Sequence, residues 1–343
     1  MVKKRILITG INGLVAAQIA NSLNSTGNYN LIGTEANPFG RLVYSPTVVG
    51  KVHIGPAAGD IKYINFLNSV IKKENIDFIV VTNEVEVLYL SENIDKLEGK
   101  TCILDFPFVN ICKSKWNTYL AIKDKYYAPK TYFPNTTEDI KRVFDRSGSP
   151  IWLRADCGQA AATAFKVKTV GEARNWLELK GGWGKYTASE FLPGRNLACV
   201  ILYSPGGNYI TTCIYERLMY LNPLSAQTNV TGVASVFRTV HDEDAVRISR
   251  DAVDTLSKVV GYKPKGLITV DLKGDKEENL KLTEVNPRPS NTFIFTKAGL
   301  NLADLFVKVA LDFPVSVAKY KPHLYHLRTV DYLPSFVEHN NLL

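Results

Sequence analysis

The stretch Leu282-Thr283-Glu284-Val285-Asn286-Pro287-Arg288-Pro289 constrains this chain more than any other, because an extended segment ends there in a carboxylate, an amide and a guanidinium. In a strand alternate side chains share a face, so Leu282, Glu284 and Asn286 are expected to point together until Pro287 stops the ladder. Thirteen residues before Glu284, Gly266-Leu267-Ile268-Thr269-Val270-Asp271-Leu272 reads as a second strand, with Gly274-Asp275-Lys276 as the turn of a hairpin. Asp271 would then face Glu284. Two carboxylates and an amide oxygen suit a hard cation such as Mg²⁺, which leaves positions for phosphate oxygens. Arg288, just beyond, would grip a transferring phosphoryl group. An isolated acidic pair on a hairpin is also what an ordinary solvated face shows, so the reading depends on what else the chain supplies.

A chain of 343 residues, 45% hydrophobic and 22% charged, is long enough for two or three domains with cores of their own. Apolar runs such as Phe78-Ile79-Val80-Val81 are too short to cross a bilayer, and Met1 leads directly into a strand, so no membrane association is expected. The five cysteines, Cys102, Cys112, Cys157, Cys199 and Cys213, are odd in number and lack CxxC spacing. Neither a disulfide framework nor a zinc site is expected, and a reducing cytoplasm is the default. The net charge of +8 arises entirely after residue 111, since residues 1–111 hold ten basic and ten acidic side chains. That excess suits a polyanionic ligand. No basic run interleaved with aromatics is present, so nucleic acid is not the expected partner.

Up to residue 111 strands and helices alternate. Arg5-Ile6-Leu7-Ile8 and Leu31-Ile32-Gly33 flank a helix near Leu14 to Leu23; a helix from Ile61 to Lys73, Phe78-Ile79-Val80-Val81, a helix near Glu86 to Leu97 and Thr101-Cys102-Ile103-Leu104 follow. Such alternation predicts a parallel sheet covered on both faces. The grammar changes at Lys113. Helices over Ser114 to Lys125 and Thr137 to Arg146 precede short strands at Ile151 to Arg154 and Ala164 to Lys168. From Thr187 antiparallel strands are expected, interrupted by a helix from Glu243 to Val260 and closed by one from Leu302 to Leu311.

Glu284-Val-Asn-Pro-Arg288 resembles the closing motif of the ATP-grasp superfamily, in particular the branch similar to the large subunit of carbamoyl phosphate synthetase, and the similarity runs from the turn near residue 10 to the helix near residue 310. The resemblance implies an α/β and α+β protein: a Rossmann-like pre-ATP-grasp domain over residues 1–111, a small ATP-grasp subdomain over 112–187, a large one over 188–318 and a tail over 319–343. It implies ATP and Mg²⁺ as cofactors. Asp271, Glu284 and Asn286 would be the metal ligands and Arg288 the catalytic cation. Lys115 and Arg154 match the two phosphate-binding cations. Gly158, Ala160 and Ala161 stand where relatives have a Gly-rich loop over the phosphates, and alanine resists positive φ there. Glu190, Phe191 and Leu192 match the adenine-binding linker, with Asn196 where relatives hold the ribose through a Glu. Glu84, Arg217, Thr228 and Thr231 are candidates for the substrate side, Glu84 because it ends a parallel strand.

The implied activity is formation of an acyl phosphate from a small-molecule carboxylate and ATP, followed by attack of an amine or other nucleophile. A homodimer is the candidate assembly. Two alternatives stay open. The altered loop and Asn196 are compatible with a nucleotide binder that does not catalyse. Gly10-Ile11-Asn12-Gly13 after the first strand, with Glu35 after the second, suits an NAD(P)-dependent epimerase or reductase, although no Tyr-x-x-x-Lys follows at a suitable place.

Overall fold

Strands β1 (Lys4–Ile8), β2 (Tyr29–Glu35), β3 (Lys51–Ile54) and β4 (Phe78–Val80) pair in parallel in the order β3-β2-β1-β4. They belong to a computed structural model describing residues 3–39, 49–158, 163–220 and 234–328. Both faces are apolar, as a covered parallel sheet requires. Leu7, Ile32 and Ile79 pack with Leu67 and Leu90 of the helices α2 (Tyr63–Glu74) and α3 (Glu84–Glu92), while Ile6, Ile8 and Leu31 pack with Ile19 and Leu23 of α1 (Leu14–Asn24). The Asn83 side chain accepts from the Val85 amide at 2.8 Å, so α3 starts two residues before the expected Glu86. The expected strand at Thr101 to Leu104 reduces to one bridge between Thr101 and Ile79. Beyond it the chain turns into α4 (Phe106–Lys113), which the sequence reading did not anticipate.

The next unit is a small antiparallel sheet of β5 (Thr131–Tyr132), β6 (Ile151–Ala155), β7 (Phe165–Val167) and β8 (Tyr186–Glu190), in the order β5-β8-β6-β7. Ahead of it lies α5 (Lys115–Ile122), and α6 (Thr137–Ser147) and α7 (Val170–Leu179) cover one face through Ile140, Val143, Ala173 and Leu177. The capping box of Thr136 and Asp139 starts α6.

A six-stranded antiparallel sheet follows, ordered β13-β12-β9-β10-β11-β14, from β9 (Asn196–Tyr203), β10 (Tyr209–Tyr220), β11 (Ala234–Val240), β12 (Gly266–Gly274), β13 (Leu280–Asn286) and β14 (Tyr325–Leu327). The long helix α8 (Glu243–Val260) lays Ile248, Ala252, Val253 and Leu256 on Ile201, Ile268, Val270 and Leu272. The other face carries α9 (Phe293–Lys297) and α10 (Leu302–Ala310). Residues expected to belong to a separate tail complete this sheet: β14 pairs with β11, and the Tyr320 hydroxyl accepts from the Ile214 amide and donates to the Val240 carbonyl.

The first domain docks on β12 at a close approach. Gly266 has φ +73°, and a Cβ there would lie 2.1 Å from the Cys102 carbonyl oxygen. Lys265 beside it pairs with Asp105 at 2.8 Å. Gly266→Ala is therefore expected to lower the unfolding free energy by about 2 kcal/mol or more, from backbone strain plus a clash that no flexible side chain can relieve. Urea denaturation of variant and native protein checks this.

Candidate active site

The large and small sheets face each other across a cavity of about 290 Å³. On the small side the carboxylate of Asp156, just past β6, organises the wall. It accepts from the Ser114 hydroxyl at 2.9 Å and from the Trp116 amide at 2.7 Å, so an anion sits at the N-terminus of α5 where the backbone amides and dipole favour it. The Ser114 hydroxyl in turn accepts from the Asn117 amide at 3.0 Å. This arrangement fixes the first residue of α5, Lys115. Its ammonium reaches across to Glu284 at 3.1 Å and donates to the Gly158 carbonyl at 3.2 Å. Arg154, near the end of β6, donates through Nη2 to the Thr283 carbonyl, while its buried Nε has no partner among the described residues.

On the large side Asp271 and Glu284 are register partners, as the hairpin reading expects. The expected sharing of a face by Leu282, Glu284 and Asn286 does not hold. Leu272 pairs with Leu282 and Asp271 with Glu284, so Thr283 is one extra residue on β13. The bulge inverts the alternation. Leu280, Leu282 and Val285 enter the core, whereas Glu284 and Asn286 line the cavity with Asp271. Arg217 holds one oxygen of Asp271 at 2.8 Å and the Asn196 side-chain oxygen at 2.9 Å. The Asn286 amide donates to the other Asp271 oxygen at 3.2 Å and accepts from Arg288 at 3.3 Å. Arg288 also stands 4.0 Å from Glu84 at the start of α3.

Burial opposes ionisation of Glu284, but Lys115, Arg154 and Arg288 outweigh it and hold its carboxyl below the usual range. Glu84 moves the other way: burial pushes it up, and Arg288 only partly offsets this. Among the described residues no three His, Cys, Asp or Glu side chains converge on one point. Asp271, Glu284 and the Asn286 amide are thus a partial set of hard oxygen donors, the kind that holds Mg²⁺ together with phosphate oxygens rather than in an all-protein cage.

Glu190, Phe191, Leu192 and Asn196 also line the cavity. The Glu190 carboxylate accepts from the Lys130 amide at 2.7 Å, anchoring the linker between β8 and β9. All the expected site residues within the described regions line this one cavity: Glu84, Lys115, Arg154, Gly158, Glu190, Phe191, Leu192, Asn196, Arg217, Asp271, Glu284, Asn286 and Arg288. Ala160, Ala161, Thr228 and Thr231 lie outside the described residues. The sequence reading missed Trp152, Tyr220 and Lys273, which also line it. Trp152 and Lys273 each lie two residues from a recognised position, Arg154 and Asp271, and strand periodicity alone places both pairs on shared faces.

The Gly10 to Gly13 turn does open α1 after β1, yet its surroundings do not suit a dinucleotide. The Asn12 amide, which a pyrophosphate would need, donates to Glu35 at 3.1 Å. Among the described residues the sheet β3-β2-β1-β4 corresponds to one mononucleotide half, without the further strands that carry the nicotinamide.

No family model matches the chain. In sequence it is similar to tyramine–L-glutamate ligase of Methanocaldococcus jannaschii, 24% identical over 263 residues that span 75% of this chain and 71% of that protein. The enzyme of the same name from Methanocaldococcus fervens is 23% identical over 247 residues, 71% of this chain and 69% of that protein. In structure the chain is similar to N5-carboxyaminoimidazole synthetase from Staphylococcus aureus (TM-score 0.67, 14% identity, covering 95% of this chain and 81% of that one). It is also similar to the biotin carboxylase domain of Hydrogenobacter thermophilus 2-oxoglutarate carboxylase, solved with MgADP and bicarbonate (TM-score 0.70, 12% identity, 95% and 74%). The fold defined by these likenesses and by the paired sheets is the ATP-grasp fold. This chain carries it behind a parallel α/β domain, as the closing motif on β13 implied.

Lys273 gives the site a measurable property. Burial first, then Arg217 and Lys166, pull its pKa down to about 8. Below that pH it is protonated in folded and unfolded chains alike, and the full cost of burying the charge is present; as pH rises from about 8 toward the ordinary lysine value, the unfolded chain keeps the extra proton and the cost is relieved. Lys273→Met is expected to raise the unfolding free energy at pH 7 by up to about 3 kcal/mol. The gap between variant and native protein should shrink by pH 10, as followed by denaturation at both pH values.

Proposed function

We propose that the protein is an ATP-dependent ligase that activates a small-molecule carboxylate as an acyl phosphate and transfers the acyl group to an amine, releasing ADP and phosphate. The observation that carries this reading is the meeting of Asp271, Glu284 and Asn286 with Lys115, Arg154 and Arg288 in one cleft between two sheets. The substrate carboxylate oxygen attacks the γ-phosphorus, and the bond from that phosphorus to the β–γ bridging oxygen breaks with ADP leaving. The amine nitrogen then attacks the acyl carbon, loses a proton, and phosphate departs with its oxygen. Such chemistry asks the protein for positioning and charge neutralisation rather than for a nucleophile of its own.

In this reading Lys115 and Arg154 hold the phosphates, and the unbonded Nε of Arg154 is a donor ready for one of their oxygens. Arg288 stabilises the charge on the transferring group, with Glu84 beside it on the substrate side. Glu190, Phe191 and Leu192 receive the base and Asn196 the ribose. Mg²⁺, held by Asp271, Glu284 and Asn286, would neutralise charge on the phosphates. The two archaeal relatives are named for joining tyramine to L-glutamate, and an amino-acid carboxylate with a primary amine is the substrate class proposed for this chain.

ADP release across a panel of amino acids and amines tests the activity, and tight ATP binding with no release for any pair would favour the non-catalytic binder. Glu284→Gln keeps the size of the side chain and removes its charge, so ADP release should fall roughly 100-fold or more; an unchanged rate would remove the metal-ligand role. Arg154→Lys keeps the charge but loses the planar fork, and nucleotide affinity should weaken about tenfold by calorimetry. Equal affinity in the two proteins would make Arg154 a structural residue.

A further inference from the structure

A second cavity, of about 270 Å³, opens at the carboxyl ends of β1, β2 and β4, on the opposite side of the first turn of α3 from the cleft. Glu84 lines the cleft, whereas Asn83, Val85 and Glu86 line this cavity. Two carboxylates, Glu35 and Glu86, border it. Glu86 is 8% exposed and accepts only from neutral donors, the Tyr63 hydroxyl at 2.6 Å and the Thr9 hydroxyl at 2.7 Å. Glu35 accepts from the amides of Asn12, Ala36 and Asn37 at 3.1, 2.8 and 3.1 Å. Among the described residues neither forms an ion pair. Burial above all, with the Glu35 charge adding to it, pushes Glu86 up despite its two hydrogen bonds.

An independent observation points to a ligand. Thr34 lines the same cavity, is 2% exposed, and its hydroxyl has no hydrogen-bond partner among the described residues. A buried polar atom left in this way costs stability unless something else satisfies it. Phe66, Pro56, Ala57, Ala58 and Val85 give the wall its apolar part, beside Asn83 and Tyr63. Phosphate and dinucleotide ligands would meet two like charges here. An ammonium group has three donors, no acceptor and a compensating charge.

We propose that this cavity is a binding site for a small organic ammonium ion with an apolar body, its nitrogen between Glu35 and Glu86 and within reach of the Thr34 hydroxyl. Gly10 keeps the wall close: with φ +56°, a Cβ there would approach the Glu86 carboxylate to 3.2 Å. The site is separate from the nucleotide cleft, so its test does not depend on the ligase reading.

Calorimetric titration of the full chain without nucleotide, using 2-phenylethylammonium, n-butylammonium, the neutral alcohols of the same frames and NADH, decides it. Saturable binding of an ammonium ion, absent for its alcohol and for NADH, is expected. Thr34→Val should weaken that binding roughly two- to tenfold, and Glu86→Gln at least tenfold. Excess ADP should not displace the ion. The proposal is overturned if no ammonium ion binds, if the alcohols or NADH bind as well, if Thr34→Val binds with native affinity, or if ADP competes, which would put the ligand in the cleft. Thr34→Val carries the decision should Glu86→Gln not fold. Ammonium binding without any ADP release would leave this site standing and remove only the ligase.

Discussion

The cleft exists because its charges neutralise one another out of water. Lys115 meets Glu284 and Arg217 meets Asp271, each across a boundary between elements: α5 to β13, and β10 to β12. In such surroundings removal of one partner leaves a buried charge whose desolvation cost is no longer offset, typically a loss of about 3–5 kcal/mol. The same groups that would hold metal and phosphate therefore also hold the two sides of the cleft in place. Their arrangement is stable without ligand because each anion already has a cation, and a nucleotide with its metal would exchange partners rather than create them.

Two local devices aim these side chains. Asp156 binds the start of α5, so the strand bearing Arg154 and the helix bearing Lys115 form one unit through a single carboxylate. Gly266 lets β12 begin directly against the Cys102 carbonyl, tying the first domain, and with it Glu84, to the strand that carries Asp271. The three sheets thus converge on one cavity through contacts that involve few residues, each with a clear steric or electrostatic reason.

Much of this was legible in the sequence, and the exceptions have physical causes. Glu284, Asn286 and Arg288 of the closing motif, the cations Lys115 and Arg154 and the linker at Glu190 all fall in the cleft because strand periodicity and turn chemistry act locally. The facing of Asp271 and Glu284 followed from the hairpin. The face of Leu282 did not follow, since a bulge depends on how two strands pair and leaves no mark in the alternation of one of them. The strand expected at Thr101 was drawn instead into the domain contact at Gly266, a long-range demand that overrides β propensity. Lys273 was passed over because a lysine on a strand is ordinarily solvated, and only the fold shows it facing Arg217 and Phe191 in the cleft. Glu86 and Thr34 give no signal at all: an acidic residue and a threonine become informative only once the described residues around them are seen to offer neither an ion pair to the one nor a hydrogen-bond partner to the other.

The extra residue at Thr283 also bears on which length changes this hairpin can absorb. Between β12 and β13 the turn at residues 275–279 is exposed and held by the Asp275 side chain, so residues gained or lost there alter only the loop. Beyond Thr283 the outcome is different. Loss of Thr283 itself would restore regular pleating and leave Glu284 and Asn286 in the cleft with Leu282 and Val285 in the core, whereas loss of Val285 would carry Asn286 out of the cleft to the apolar side facing α8. Within one hairpin, sequence drift by insertion and deletion is thus free at the tip and forbidden a few residues away.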